Sequence, residues 1–139
     1  CHGAIEQYDE YEATAQVVPL TGGFQLEIPL GHFVAPNLTP DEETGIGKMT
    51  DGEIARALRF GVGRDGTLLF PVMPFANVSD EDLVAIISYL RSLEPIKKER
   101  PGHSINLLGK VLYAFVMEPV GPTSPPLASV PVGRTVEYG

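Results

Sequence analysis

Phe70-Pro71-Val72-Met73-Pro74-Phe75, followed closely by Val78-Ser79-Asp80-Glu81-Asp82-Leu83, is the stretch on which the fold turns. Pro71 and Pro74 each fix φ and remove a backbone donor, so Met73 is expected in an extended loop over residues 67–78. Ser79 is a helix N-cap, and Asp80, Glu81 and Asp82 fall where the positive end of the helix dipole favours anions. Leu83, Ile86, Ile87 and Leu90 then share one face, Arg91 lies in the last turn and Pro95 ends the run, which predicts a helix over residues 80–93. A soft sulfur in a stiff loop, with a capped amphipathic helix after it, is suited to lying across a large apolar group.

Upstream, Thr50 and Glu53 form a T-x-x-E capping box, Ile54, Ala57 and Leu58 follow at helical spacing, and Gly61 is a stop. These predict a helix over residues 51–60, with a turn after it at Asp65-Gly66. Phe24, Leu26, Ile28 and Leu30 alternate with Gln25, Glu27 and Pro29, a period of two that predicts a short strand. Pro29 confines that strand to an edge. Asn37-Leu38-Thr39-Pro40 and Thr44-Gly45-Ile46-Gly47 are turn chemistry, and residues 3–21 read as loop with a short helical turn.

Downstream, a basic run ending in Pro101-Gly102 marks a boundary. Residues 105–117 predict a further helix that is apolar nearly all round, with Ile105, Leu107, Leu108, Val111, Leu112, Phe115 and Val116. It is too short to span a bilayer, so it is expected to meet another module, a subunit or a membrane surface. Pro119, Pro122, Pro125, Pro126 and Pro131 then make a stiff linker. The expected organisation is a main domain over residues 1–100, an apolar connector helix over 101–118 and a proline-rich linker over 119–139.

Composition narrows the chemistry. With 15 glycines and 13 prolines among 139 residues, regular structure is sparse and the core is thin unless a large apolar group fills it. One cysteine excludes an internal disulfide framework and any multi-cysteine zinc or iron–sulfur site. The net charge is −8, and −7 of it falls in residues 1–50, where eight acids stand against Lys48. Such a chain is a poor nucleic-acid binder and suits a protein partner that presents basic residues.

The chain opens on Cys1-His2, the second half of the C-x-x-C-H motif that attaches c-type haem. In that reading Cys1 forms a thioether to the porphyrin, His2 takes one axial face of the iron and Met73 takes the other. The second ring nitrogen of His2 needs a fixed acceptor, and a backbone carbonyl in a proline-bearing loop is the expected type. Leu38, Phe70 and Phe75 are expected to wall the group, raising its potential by excluding water. Met49 and Met117 are read as packing residues and His103 as a surface histidine; His32 is also read as a surface residue, a weak competitor for the axial place. Gly61-Val62-Gly63-Arg64-Asp65-Gly66 fits the dinucleotide pattern G-x-G-x-x-G but follows a helix instead of a strand, so it is set aside. Two rivals are a peroxidase-type haem enzyme and a haem-free module anchored by a lipid on Cys1.

Beyond single motifs, a long run of residues resembles a class I c-type cytochrome, and more narrowly a domain of dihaem and multihaem cytochromes such as the cytochrome subunits of alcohol dehydrogenases. The matching residues are Cys1-His2-Gly3, Gly22-Gly23-Phe24, Ala35-Pro36-Asn37-Leu38-Thr39-Pro40-Asp41 and Glu43-Thr44-Gly45-Ile46-Gly47. They continue through Arg56-Ala57-Leu58-Arg59-Phe60-Gly61, the Met73 loop, Ser79-Asp80-Glu81-Asp82-Leu83 and Tyr89-Leu90-Arg91-Ser92-Leu93. The resemblance implies a mostly α fold wrapped round one covalent haem c, with His2 and Met73 as metal ligands, a short β-hairpin and long loops. It implies an electron carrier rather than an enzyme, periplasmic and associated with the membrane, whose partners are a dehydrogenase, other cytochromes or an oxidase. The family's first helix and first cysteine are missing from this chain, so the sequence is expected to be a piece of a multihaem cytochrome. Residues 133–139 resemble the lead-in to a second haem domain.

Overall fold

Polar caps set the helices, and a glycine-rich hairpin sets the small sheet. The computed structural model describes residues 2–3, 9, 11, 13, 17–71 and 75–133. The chain divides into two compact units, one of residues 1–48 with 90–117 and one of residues 49–89 with 118–139.

In the first unit, β1 (Gln25–Ile28) and β2 (Gly31–Val34) form an antiparallel hairpin with Leu26 opposite Phe33 and Glu27 opposite His32. Pro29 falls in the connecting turn, outside the strand in which it was expected, and β1 is an edge strand by its place in the order β1-β2-β3. A third strand, β3 (Ser104–Ile105), pairs antiparallel with the other side of β2. This shortens the helix expected over residues 105–117. Ile105 is drawn into the sheet opposite Gly31, and Asn106 becomes the N-cap of a helix spanning Leu107–Phe115. The Asn106 side chain accepts from Gly109 N–H at 2.9 Å and donates to the Pro29 carbonyl at 2.7 Å, which fixes the helix on the hairpin turn. Phe33, Val34, Ile46 and Leu90 are the buried apolar residues of this unit.

In the second unit, α1 (Asp51–Phe60) starts at the predicted capping box. Thr50 N–H donates to Glu53 Oε2 at 2.7 Å, and Glu53 N–H donates back to Thr50 Oγ1 at 3.2 Å. Gly61 ends it in the left-handed region, at φ 63°. The next helix, α2 (Asp80–Ser92), is capped by Ser79, whose Oγ accepts from Asp82 N–H at 3.1 Å. Leu83 and Ile87 of α2 are buried with Ile54 and Ala76. Its last residues, from Leu90, belong to the first unit. Arg59 clamps the start of α2 by donating to Asp80 Oδ1 and to the Val78 carbonyl, both at 2.9 Å. The first-turn N–H groups of Asp80 and Glu81 donate to the carbonyls of Leu127 and Ala128, so the proline-rich segment satisfies donors that a helix start leaves open. The helix at Leu107–Phe115 is α3 in chain order.

Among the described residues the named elements are three helices and one three-stranded antiparallel sheet, and Asp9, Tyr11 and Ala13 are also helical, within the stretch where a short helical turn was expected. None of these helices is long and apolar enough to cross a membrane.

Candidate functional site

Among the predicted site residues, His2 has its side chain held by a backbone carbonyl. Its Nδ1 donates to the Pro36 carbonyl at 3.1 Å, and its own carbonyl accepts from Gly22 N–H at 2.7 Å. Burial, the largest influence, pushes its pKa below the ordinary histidine value; the Pro36 bond opposes this and the Arg100 charge adds to it. A neutral imidazole with its proton fixed on Nδ1 leaves the Nε2 lone pair free to bind a metal. The acceptor is of the expected type, a carbonyl from a proline-bearing loop.

Pro36 is itself held from several sides. Gly22 passes behind it at φ 72°, and a Cβ there would collide with the Pro36 carbonyl oxygen, so only glycine fits. Gly23 N–H donates to the Ala35 carbonyl at 3.0 Å and Leu38 N–H to the Leu20 carbonyl at 2.8 Å. Beyond Pro36, the Asn37 side chain uses every hydrogen-bonding position it has. Its Nδ2 donates to the Ile96 carbonyl at 2.8 Å and to Thr44 Oγ1 at 3.1 Å. Its Oδ1 accepts from Thr39 N–H at 3.0 Å and from Thr39 Oγ1 at 2.8 Å. Thr44 Oγ1 in turn accepts from Lys98 N–H at 3.0 Å and donates to Asp41 Oδ1 at 2.7 Å. Asn37 and Thr39 are each 1% exposed, so this network replaces water completely.

The Asn-x-Thr-Pro-Asp turn was visible in the sequence, but its binding to residues 96–98 was not, because those partners lie far along the chain. Leu38 is half buried in the first unit, and Phe70 and Phe75 are half buried in the second. Cys1 and Met73 lie outside the described residues, as does the segment 134–139. His32 is engaged in the sheet, its Nε2 bonded to Gln25 Oε1 at 2.9 Å. His103 Nδ1 accepts the Val34 N–H at 3.1 Å, which makes it part of the fold.

Comparison with known proteins finds relatives in sequence. No protein-family model matches the chain. Over 92 residues it is 34% identical to the cytochrome c subunit of a quinone alcohol dehydrogenase of Gluconobacter oxydans, a match covering 63% of the chain and 19% of that relative. Over 74 residues it is 40% identical to the cytochrome c subunit of a gluconate 2-dehydrogenase of Pantoea cypripedii, covering 51% and 17%. Over 108 residues it is 32% identical to a diheme cytochrome c-type protein of Cereibacter sphaeroides, covering 76% and 35%. The chain is a relative of cytochrome c subunits, the class its first residues and its Met-Pro loop resemble. Within that class its relatives include the cytochrome subunits of alcohol, gluconate and fructose dehydrogenases. It spans only a minor part of each of the three proteins compared in detail.

Proposed function

We propose that the chain is an electron-transfer module of a multihaem cytochrome that serves a dehydrogenase, carrying covalent haem c attached through Cys1. In this reading His2 and Met73 would ligate the iron, and Leu38, Phe70 and Phe75 are the candidates for apolar contact with the group. The single observation that carries the reading is the hydrogen bond from His2 Nδ1 to the Pro36 carbonyl at 3.1 Å. A surface histidine needs no such bond, whereas a metal-binding histidine needs its second nitrogen oriented.

When bound, haem c supplies one-electron chemistry at iron. The chain's own residues do the rest. His2 presents a neutral nitrogen at a fixed ring angle, and Gly22 lets the backbone close behind the Pro36 carbonyl. Met73 supplies a soft sulfur that favours ferrous iron and raises the potential. Two protein ligands to the iron would leave no place for peroxide, which supports an electron carrier over an enzyme.

The outward side of α3 supports a place inside a larger assembly. Leu107 is 78% exposed and Phe115 84%, with Leu108 and Val111 exposed beside them. A soluble monomer rarely shows water so contiguous an apolar arc, so in this reading a dehydrogenase subunit or a membrane surface covers it. The relatives named as dehydrogenase cytochrome subunits favour the subunit, and the reading keeps the periplasm as the compartment.

The test is a pyridine haemochrome spectrum and a redox titration of the haem-loaded polypeptide. A c-type spectrum is expected, with Met73→Ala lowering the potential and opening the iron to carbon monoxide. No covalent haem, or an unchanged potential and no carbon monoxide binding in Met73→Ala, would sink the assignment.

A further inference from the structure

We propose that Asn37 is a positioning residue that sets the electron richness of the His2 imidazole through the Pro36 carbonyl; this deepens the reading above and rests on it. The Pro36 carbonyl belongs to the peptide bond that enters Asn37. Proline fixes its own φ, so the direction of that carbonyl depends on where the Asn37 backbone is anchored. The anchor is the side chain of Asn37, whose two donors and two acceptor sites are all used, on Ile96, Thr44 and Thr39. From the other side, the Gly22 backbone lies so close that an added Cβ would collide with the carbonyl oxygen. The carbonyl is therefore clamped between a satisfied buried amide and a glycine wall, and its one free job is to accept the His2 Nδ1 proton.

That bond has a redox consequence. A well-aligned acceptor on Nδ1–H pushes electron density toward Nε2 and makes the ring a stronger donor to a metal. A stronger donor favours the ferric state, so the clamp holds the potential lower than a loose carbonyl would. The second unit takes no part in this chain of contacts; every residue named lies in residues 2–44 or at Ile96. The motif in the sequence is Pro36-Asn37-Leu38-Thr39, and the chemistry assigns its asparagine a task distinct from metal binding or haem attachment.

The experiment is a redox titration of the intact, haem-loaded polypeptide together with the exchange rate of the His2 Nδ1 proton by NMR. Asn37→Leu removes the anchor, and Gly22→Ala pushes the carbonyl directly. Both are expected to raise the midpoint potential and to speed Nδ1 proton exchange by about tenfold or more, the equivalent of one ordinary hydrogen bond lost. Because either variant could fold poorly, Thr39→Val and Thr39→Ser form a gentler pair. Valine withdraws one donor from Asn37 Oδ1 and the acceptor used by Ile96 N–H, while serine keeps both. The valine variant is expected to show the same shifts at smaller size, and the serine variant to restore wild-type behaviour. Thr50→Ala, which loosens a helix cap in the other unit, serves as the stability control and should leave potential and exchange unchanged. Equal potentials and exchange rates in all of these, with wild-type haem bound, would overturn the positioning role alone. A wild-type polypeptide without covalent haem would instead overturn the electron-transfer reading.

Discussion

Replacing Gly109 with alanine sets helix propensity against packing, and the structure says which wins. Gly109 lies in the first turn of α3 and is buried. In an open helix the change would stabilise by about 1 kcal/mol, since alanine loses less backbone entropy. Here the new Cβ would collide with the Leu30 carbonyl oxygen and stand 2.5 Å from Ile105 Cγ2. The oxygen belongs to the hairpin turn and cannot rotate away, so the helix must lift; overpacking of this kind costs about 1–3 kcal/mol. Lifting also stretches the Asn106 N–H bond to the Leu30 carbonyl at 3.1 Å and the Asn106 side-chain bond to the Pro29 carbonyl at 2.7 Å. Each is worth about 1 kcal/mol. The sum favours net destabilisation of about 1–3 kcal/mol. Urea unfolding followed by circular dichroism should place the midpoint lower by about 1 M, for a slope of about 1–3 kcal/mol/M. Gly52→Ala is the matched control. Gly52 sits in the first turn of α1 with open space around it, so the same change there should be neutral or stabilising by up to about 1 kcal/mol. A Gly109→Ala chain as stable as wild type, or more so, would refute the seating of α3 on the hairpin turn.

Other perturbations follow from single groups. Thr21 is 3% exposed and its hydroxyl has no hydrogen-bond partner among the described residues, so Thr21→Val should raise stability by about 1 kcal/mol in urea; a loss of that size would mean the hydroxyl is used. Thr50→Ala removes one arm of the α1 capping box and should cost about 1 kcal/mol, read from the same titration. His103 must be unprotonated at Nδ1 to accept the Val34 N–H, and burial, followed by the charges of Arg100 and His32, holds its pKa below the ordinary value of 6.5. Its folded form therefore prefers the neutral ring. The stability it adds is complete above the unfolded value near 6.5 and is lost as pH falls through the lower folded value. Urea midpoints measured from about pH 7.5 to about 5 should fall in wild type and fall less in His103→Gln; parallel curves would show that the bond carries no pH dependence.

The features legible in the sequence are those whose partners lie within a few residues. The Thr50–Glu53 box, the Ser79 cap and the Gly61 stop are all written within one helical turn, and α1 and α2 start where those signals stand. The hairpin was legible because its alternation and its proline are local too. What stayed hidden is non-local. Nothing near Ser104 or Ile105 announces a strand, because the edge they pair with belongs to Gly31 and His32. His103 is a surface residue, as the sequence suggests, but its bond to the Val34 N–H was hidden because that partner lies far along the chain.

The candidate site divides in the same way. That a metal-binding His2 would need an acceptor on Nδ1 follows from imidazole chemistry and required no structure. Which carbonyl it would be did not follow, since Pro19, Pro29, Pro36 and Pro40 all precede the first long helix. The choice falls on Pro36 because two things meet there that no local pattern reports. A glycine at position 22 allows the backbone to approach, and Asn37 ties the far side of the same peptide to Ile96, just past the end of α2. A loop-rich chain thus obtains one rigid point without a large apolar core, by committing its buried polar groups to a network in which the Asn37 amide is left with no unpaired position. In the proposed reading, rigidity at that point serves a histidine ligand, and the satisfied Asn37 side chain one residue beyond the carbonyl that His2 uses would supply it.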